Sequence, residues 1–225
     1  SGNVPSYGHR QVQGSLQHSC RDTGKIAGET QSAAGQLRLY LSGGVLMMLE
    51  KAQQYKDTLS LVAYLFGYPD AEWWSALADC RGEAKKIESR QNAQDILDFL
   101  DYVQELGQKE YEELYVRVFE FSSNTNLYLT MHDRTDFGKQ AREMQSFKTL
   151  FLDNGYDLDK ELPDYLPAVL ELTASISATQ ARKVLTAAQP KIELLRDRFV
   201  EAKLVHTLLL DIILTETDEL KEESA

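Results

Sequence analysis

The 225-residue sequence is poor in several residue types that carry chemistry: two cysteines, two tryptophans, four histidines and five prolines. Cys20 and Cys80 alone cannot form a multi-disulfide framework, which fits a reducing compartment. Positive charge is also short. Lys+Arg number 24 against 35 Asp+Glu, a formal net charge of −11. That argues against nucleic acid as the main partner, because phosphate binding needs a basic footprint, and leaves room for a basic partner. No run of about 18 apolar residues occurs, so no membrane span is expected. The histidines are His9, His18, His132 and His206, and no Cys-x-x-Cys, His-Glu-x-x-His or EF-hand pattern is present, so no metal site is expected. Nor is there a Gly-rich phosphate cradle or a Gly-x-Ser-x-Gly elbow. His132 and His206 have no evident nucleophile partner. Carboxylate pairs such as Glu112-Glu113 and Glu222-Glu223 read as solvated helix faces. No catalytic residue is expected, and a binding protein fits better than an enzyme. A small hydrolase with an acidic helical pocket stands as the alternative from another class.

Within the chain, composition shifts near residue 46. Residues 1–46 hold 8 of the 13 glycines and no Trp or Phe, and carry Arg10, Arg21, Lys25 and Arg38 against Asp22 and Glu29, or +2. Removing that segment from the total leaves 20 basic and 33 acidic residues in 47–225, or −13. A Gly-, Ser- and Gln-rich stretch without large apolar groups cannot bury enough surface to offset chain entropy. The segment is therefore expected to be disordered or extraneous. It is not a secretory signal, since Arg10 is followed by polar residues. Gly43-Gly44 can be encoded as a ribosome-binding sequence just ahead of Met47-Met48, so translation is expected to begin there, with a tag or an ordinary flexible extension as the alternatives. Residues 47–215 are expected to form one helical domain, and 216–225 an acidic, frayed tail.

Apolar spacing in the remainder is helical. Leu49, Tyr55, Leu59, Val62, Leu65 and Phe66 mark a first face, closed by Gly67 at C′, and Asp70 is placed as the next N-cap. Asn92 is expected to cap a helix carrying Ile96, Leu97, Leu100 and Val103, which Gly107 ends. Helical patterns follow over 108–121 and, beyond a polar break at 122–126, over 136–153, ended by Asn154-Gly155. Pro163-Asp164 reads as a loop and helix start, with Pro167 in the first turn. Pro190 is expected to begin a last long helix whose stripe runs from Ile192 to Ile213. Strand signals are nearly absent. The expectation is an all-α bundle of seven to eight helices.

An acidic, all-helical chain with aromatic residues suits an amphipathic basic peptide, taken by an apolar groove with an acidic rim. Three stretches sharpen this: Tyr115-Val-Arg-Val-Phe119-Glu-Phe121; Leu127-Tyr128-Leu129-Thr130-Met131-His132; and Glu161-Leu162-Pro163-Asp164-Tyr165-Leu166-Pro167-Ala-Val-Leu170-Glu171-Leu172. Together with Tyr64-Leu-Phe-Gly-Tyr68-Pro69-Asp70, they resemble the NarJ-type assembly chaperones, the delta subunits of respiratory nitrate reductase, within the wider TorD/DmsD group of redox-enzyme maturation proteins. The similarity runs from about Met48 to about Leu214 and leaves out 1–46. The resemblance implies a cytoplasmic, TorD-like, non-enzymatic chaperone. Such a protein binds the N-terminal segment of the apo catalytic subunit while the molybdenum cofactor is inserted into that client, before the client docks at the membrane. It holds no cofactor of its own. A chaperone of the same fold serving another molybdoenzyme with a twin-arginine signal peptide is the alternative.

The resemblance also implies site residues. Glu161, Leu162, Pro163, Asp164, Tyr165, Leu166 and Pro167 would form the loop bordering the peptide groove, with Asp164 pairing with a ligand arginine or else capping the following helix. Relatives often carry His where this chain has Tyr165, which does not titrate near neutral pH. Tyr115, Phe119 and Tyr128 would line the groove or pack in the core. Trp73 or Trp74 would be an exposed anchor, and His132 a polar contact or a structural histidine. Glu143 stands where relatives have Gly after Arg142, and Asp133-Arg134-Thr135-Asp136 lacks the family's usual Gly-Asp.

Overall fold

The computed structural model describes residues 43–132, 137–156 and 161–222. Its contacts divide the chain into 1–51 and 52–225. Of the first unit, the described part is helical backbone from Gly43 onward, so helix begins within the segment expected to be an extension; residues 1–42, with most of that segment, lie outside the described residues. The second unit carries the helical core.

Eight α-helices occur among the described residues: α1 (Gly43–Leu65), α2 (Ala71–Ala84), α3 (Arg90–Leu106), α4 (Gln108–Tyr115), α5 (Phe137–Asp153), α6 (Leu166–Ser175), α7 (Ala178–Glu201) and α8 (Thr207–Glu222). A π-helical turn, Val116–Glu120, prolongs α4, and a 3-10 turn, Leu129–Met131, precedes α5. The all-α expectation holds. Helix α7 packs along α8, α8 and α2 pack on α3, and α6 packs on α7. The core joins Leu59, Val62, Leu65 and Phe66 of the α1 end to Ile96, Phe99 and Val103 of α3 and to Leu195, Phe199, Ile212 and Ile213 of α7 and α8. Each such side chain contributes about 1.5–3 kcal/mol by leaving water.

Several boundaries follow the expected punctuation. Asp70 caps α2, its Oδ1 accepting from the amides of Glu72 and Trp73 at 3.0 and 2.9 Å. Gly107 closes α3 at φ 86° and Gly155 follows α5 at φ 82°, both in the left-handed region that glycine enters without strain.

Four expectations are corrected. Ser89, not Asn92, caps α3, taking the Asn92 amide on its hydroxyl at 3.3 Å. Asn92 lies on the same face as Ile96, Phe99 and Val103, so its side chain turns inward and donates to Glu216 Oε1 at 2.8 Å. Pro190 sits inside α7 rather than at its start. The helix begins after its N-cap Ser177, whose capping box with Gln180 satisfies the Gln180 and Ser177 amides. Val184, Leu185, Ala188, Ile192, Leu195 and Phe199 form one buried stripe through the proline, and that burial offsets the roughly 3 kcal/mol a mid-helix proline costs. The stripe expected to run unbroken to Ile213 is split at Lys203, which adopts φ 55° and turns the chain into α8. Finally, α8 continues to Glu222 with Glu216, Thr217 and Leu220 buried, where a frayed tail was expected from 216; residues 223–225 lie outside the described residues.

Candidate functional site

Two loops meet beside the α1–α2 turn. The first leaves the π-turn and runs from Phe121 to the 3-10 turn; the second runs from Glu161 into α6. They join as a minimal antiparallel ladder, Tyr128 opposite Tyr165: Leu129 N donates to Asp164 O and Leu166 N to Leu127 O, both at 2.9 Å. Pro163 fixes φ in the second loop, and Pro167 occupies the first turn of α6, where its missing N–H leaves nothing unsatisfied.

Asp164 makes this junction. Its side chain is fully buried, and Oδ2 accepts from Thr130 N at 3.1 Å and from Thr130 Oγ1 at 2.7 Å. The α6 N-cap position belongs to Tyr165, and no side chain caps it, so the capping role expected for Asp164 is not realised. Nor does Asp164 face solvent; its second oxygen, Oδ1, is buried without a hydrogen-bond partner. It is a strut between the loops.

The ladder brings tyrosines into a row. Tyr128 packs on Tyr165 at a centroid distance of 5.2 Å. The Tyr165 hydroxyl bonds to that of Tyr115, which donates onward to Phe66 O at 2.9 Å. Tyr68 stands edge-on to Tyr115 at 5.5 Å. Carboxylates surround the row. Tyr128 donates to Glu161, and Glu112, Glu120 and Asp70 lie within electrostatic reach of Tyr68. The Tyr128 hydroxyl is pushed up to about 12, by burial first and then by Glu161 and Asp164. Burial likewise drives Tyr115 and Tyr165 well above the ordinary tyrosine value, and Tyr68 is raised by burial and then by its three acidic neighbours. The row therefore stays protonated at physiological pH. It offers neutral aromatic faces and hydroxyls inside negative potential, an arrangement that attracts a cation. Tyr115 and Tyr165 are buried, whereas Tyr68 and Tyr128 are part-exposed and can meet a ligand.

Apolar side chains flank the same loops. Phe121 is 82 % exposed, Met131 52 % and Leu162 51 %, and two of them directly follow the rim carboxylates Glu120 and Glu161. Leu166 and Pro167 are buried and act as support. Phe119 belongs to the core, 4.8 Å from the His206 ring and 5.8 Å from Phe199. Trp73 is buried as well, stacked on Tyr111 at 5.4 Å with its indole N–H on Tyr64 O, while Trp74 is half-buried against it. His132 is buried, its Nε2 2.8 Å from Asn126 O. Residues 133–136 lie outside the described residues. Glu143 pairs with Lys191 at 2.9 Å. The row and its rim also take in Tyr68, Glu112 and Glu120, which the sequence did not single out. Tyr68 and Glu120 lie inside resembling stretches, which was their only signal.

Among the described residues no group of three or more His, Cys, Asp or Glu side chains is placed to hold a metal ion. His206 is enclosed by Phe66, Phe99, Phe119, Phe199 and Tyr111, and burial holds its ring down at about 3, so it is a neutral core group.

Residues 84–205, which include both loops and the α7 scaffold, match the family described as nitrate reductase delta subunit. The chain belongs to that family. Among curated proteins, the chain is 29 % identical over 158 residues to the probable nitrate reductase molybdenum cofactor assembly chaperone NarJ of Bacillus subtilis, covering 70 % of this chain and 86 % of that protein. It is 25 % identical over 160 residues to the nitrate reductase molybdenum cofactor assembly chaperone NarJ of Escherichia coli K12, covering 69 % and 67 %. A third relative, the nitrate reductase-like protein NarX of Mycobacterium tuberculosis, is 28 % identical over 199 residues, 78 % of this chain but 30 % of that protein. Among the described residues no helix is long and apolar enough to cross a membrane.

Proposed function

We propose that this chain is an assembly chaperone for a nitrate reductase. In this reading it binds the N-terminal segment of the apo catalytic subunit in the cytoplasm and keeps it accessible while the molybdenum cofactor is inserted into that client. It is not an enzyme and holds no cofactor of its own. The observation that carries the reading is the row Tyr68–Tyr115–Tyr165–Tyr128 with Glu112, Glu120 and Glu161 around it, beside exposed Phe121, Met131 and Leu162. A basic, amphipathic segment matches both parts. Its cation meets the part-exposed rings and the carboxylates, and its apolar side chains cover the exposed hydrophobic ones.

The test is calorimetric titration of the full chain with the client's N-terminal peptide. Binding at a Kd of about 100 μM or tighter, about −5.5 kcal/mol, is expected. A peptide with its basic residues changed to glutamine should bind far more weakly. No heat at millimolar peptide would refute the reading. A parallel titration with the signal peptide of another molybdoenzyme decides which client is served.

A further inference from the structure

The loop that carries Tyr128 is held by a residue far away in sequence. Arg198 stands in the last turn of α7. Its NH1 donates to Asn124 Oδ1 at 3.0 Å and its NH2 to the backbone carbonyl of His132 at 3.1 Å. Neither acceptor is charged, and Nε is buried without a partner. The guanidinium is thus spent on the two ends of one loop. Inside that loop the bonds converge on Tyr128. His132 Nε2 donates to Asn126 O at 2.8 Å, Asn126 Nδ2 donates to Ser123 O at 3.2 Å, and Asn126 Oδ1 accepts the Tyr128 amide at 3.1 Å. Thr125 Oγ1 anchors the start of the loop on Val118 O at 2.6 Å, in the π-turn. Of these contacts only the Arg198 pair spans the loop from Asn124 to His132, and two acceptors held at once suit the planar fork that arginine presents.

We propose that Arg198 is a positioning residue of the peptide site. By clamping Asn124 to His132 it fixes the 122–132 loop, and so sets Tyr128 against Tyr165 and Glu161. It does not touch the ligand. The proposal rests on the reading of Tyr128 and Glu161 as part of the binding site.

The test compares wild type, Arg198→Lys and Asn124→Ala in the full chain. Lysine keeps the charge but cannot span both acceptors. Amide hydrogen exchange reads the loop directly. The amides of Tyr128, Leu129, Thr130 and Met131 are all hydrogen-bonded in the structure. In Arg198→Lys they should exchange about tenfold faster while the amides of α7 and α8 do not change. The affinity for the client peptide should fall about tenfold in the same variant. Asn124→Ala, which removes one prong, should show the same changes to a smaller extent. Unchanged loop exchange in a folded Arg198→Lys protein would overturn the clamp. Faster exchange with unchanged affinity would overturn the positioning role. Failure of the wild type to bind peptide would refute the chaperone reading and with it the positioning role, while the exchange result would still decide the clamp.

Discussion

Asp164 is the residue whose expected role the structure changes most, and its replacement separates two mechanisms. As a strut it accepts two hydrogen bonds from Thr130, which is itself buried. A hydrogen bond to a charged acceptor contributes about 1.5–3 kcal/mol, and a buried donor left unpaired costs a further 1–3 kcal/mol or so. Against this, Asp164→Ala removes a carboxylate whose Oδ1 is buried and unpartnered, a relief of part of that sum. The net expectation is a loss of about 2–4 kcal/mol in urea unfolding, with an unchanged m-value. Thr130→Val deletes only the 2.7 Å hydroxyl bond. It should cost about 1–2 kcal/mol, and the double mutant should show a coupling of similar size. Peptide affinity then completes the argument. If Asp164 acts by holding the loops together, Thr130→Val weakens binding as well, although Thr130 is too buried to reach a ligand. If Asp164 instead pairs directly with a ligand arginine, Asp164→Ala loses affinity while Thr130→Val does not. A stability change below about 0.5 kcal/mol in Asp164→Ala would refute the strut.

Other expectations are as direct. Tyr128→Phe removes the hydroxyl bonded to Glu161 but keeps the ring, so unfolding should shift by less than about 1 kcal/mol while peptide affinity drops measurably by calorimetry. Burial raises the Glu171 carboxyl to about 7, so the folded state holds a proton that the unfolded state has lost between the ordinary glutamate value and 7; its contribution makes stability fall as pH rises through that window. Glu171→Gln should remove that negative slope and be the more stable protein at pH 8, by at most about 3 kcal/mol in urea unfolding. His206 has the opposite sign. Its folded value of about 3 lies below the unfolded one, so its contribution is complete above about pH 6.5 and is lost as pH falls toward 3; His206→Phe should flatten the acid limb. Gly67→Ala places a Cβ 2.9 Å from Tyr64 O, the carbonyl that also receives the Trp73 indole, and should lower the thermal midpoint.

Sequence made the helices legible where chemistry marks their ends. Asp70, Gly107 and Gly155 each supply a group or a backbone freedom that their turn requires, and the boundaries there follow expectation. It failed where packing overrode local preference. Pro190 reads as a helix start because proline usually is one, yet a buried stripe on both sides keeps α7 continuous. Lys203 carries no signal for a left-handed backbone, so the α7–α8 corner was invisible. Ser89 and Asn92 are both capable caps, and only the partner Glu216 across the core shows why Asn92 turns inward. The same division holds at the site. The 161–167 segment stands out by its two prolines. The burial of Asp164 and the entry of Tyr68 into the row depend on three segments distant in sequence meeting, which no local pattern encodes.

On the proposed function, the arrangement divides the work of recognition between charge and shape. The acidic rim raises the local concentration of a basic segment and speeds encounter, an effect that salt screens. Holding the segment falls to the part-exposed rings and apolar side chains. Their inner neighbours are fixed in advance by the bonds from Tyr165 to Tyr115 to Phe66 O and by the strut from Asp164 to Thr130. A ligand that meets a fixed surface gives up less ordering free energy than one that must organise it. That matters for the proposed chaperone role, in which the client has to be released. The buried polar groups at Asp164 and the loop bonds around Asn126 are therefore where stability is exchanged for a defined site, at loops rather than on the helices that support them.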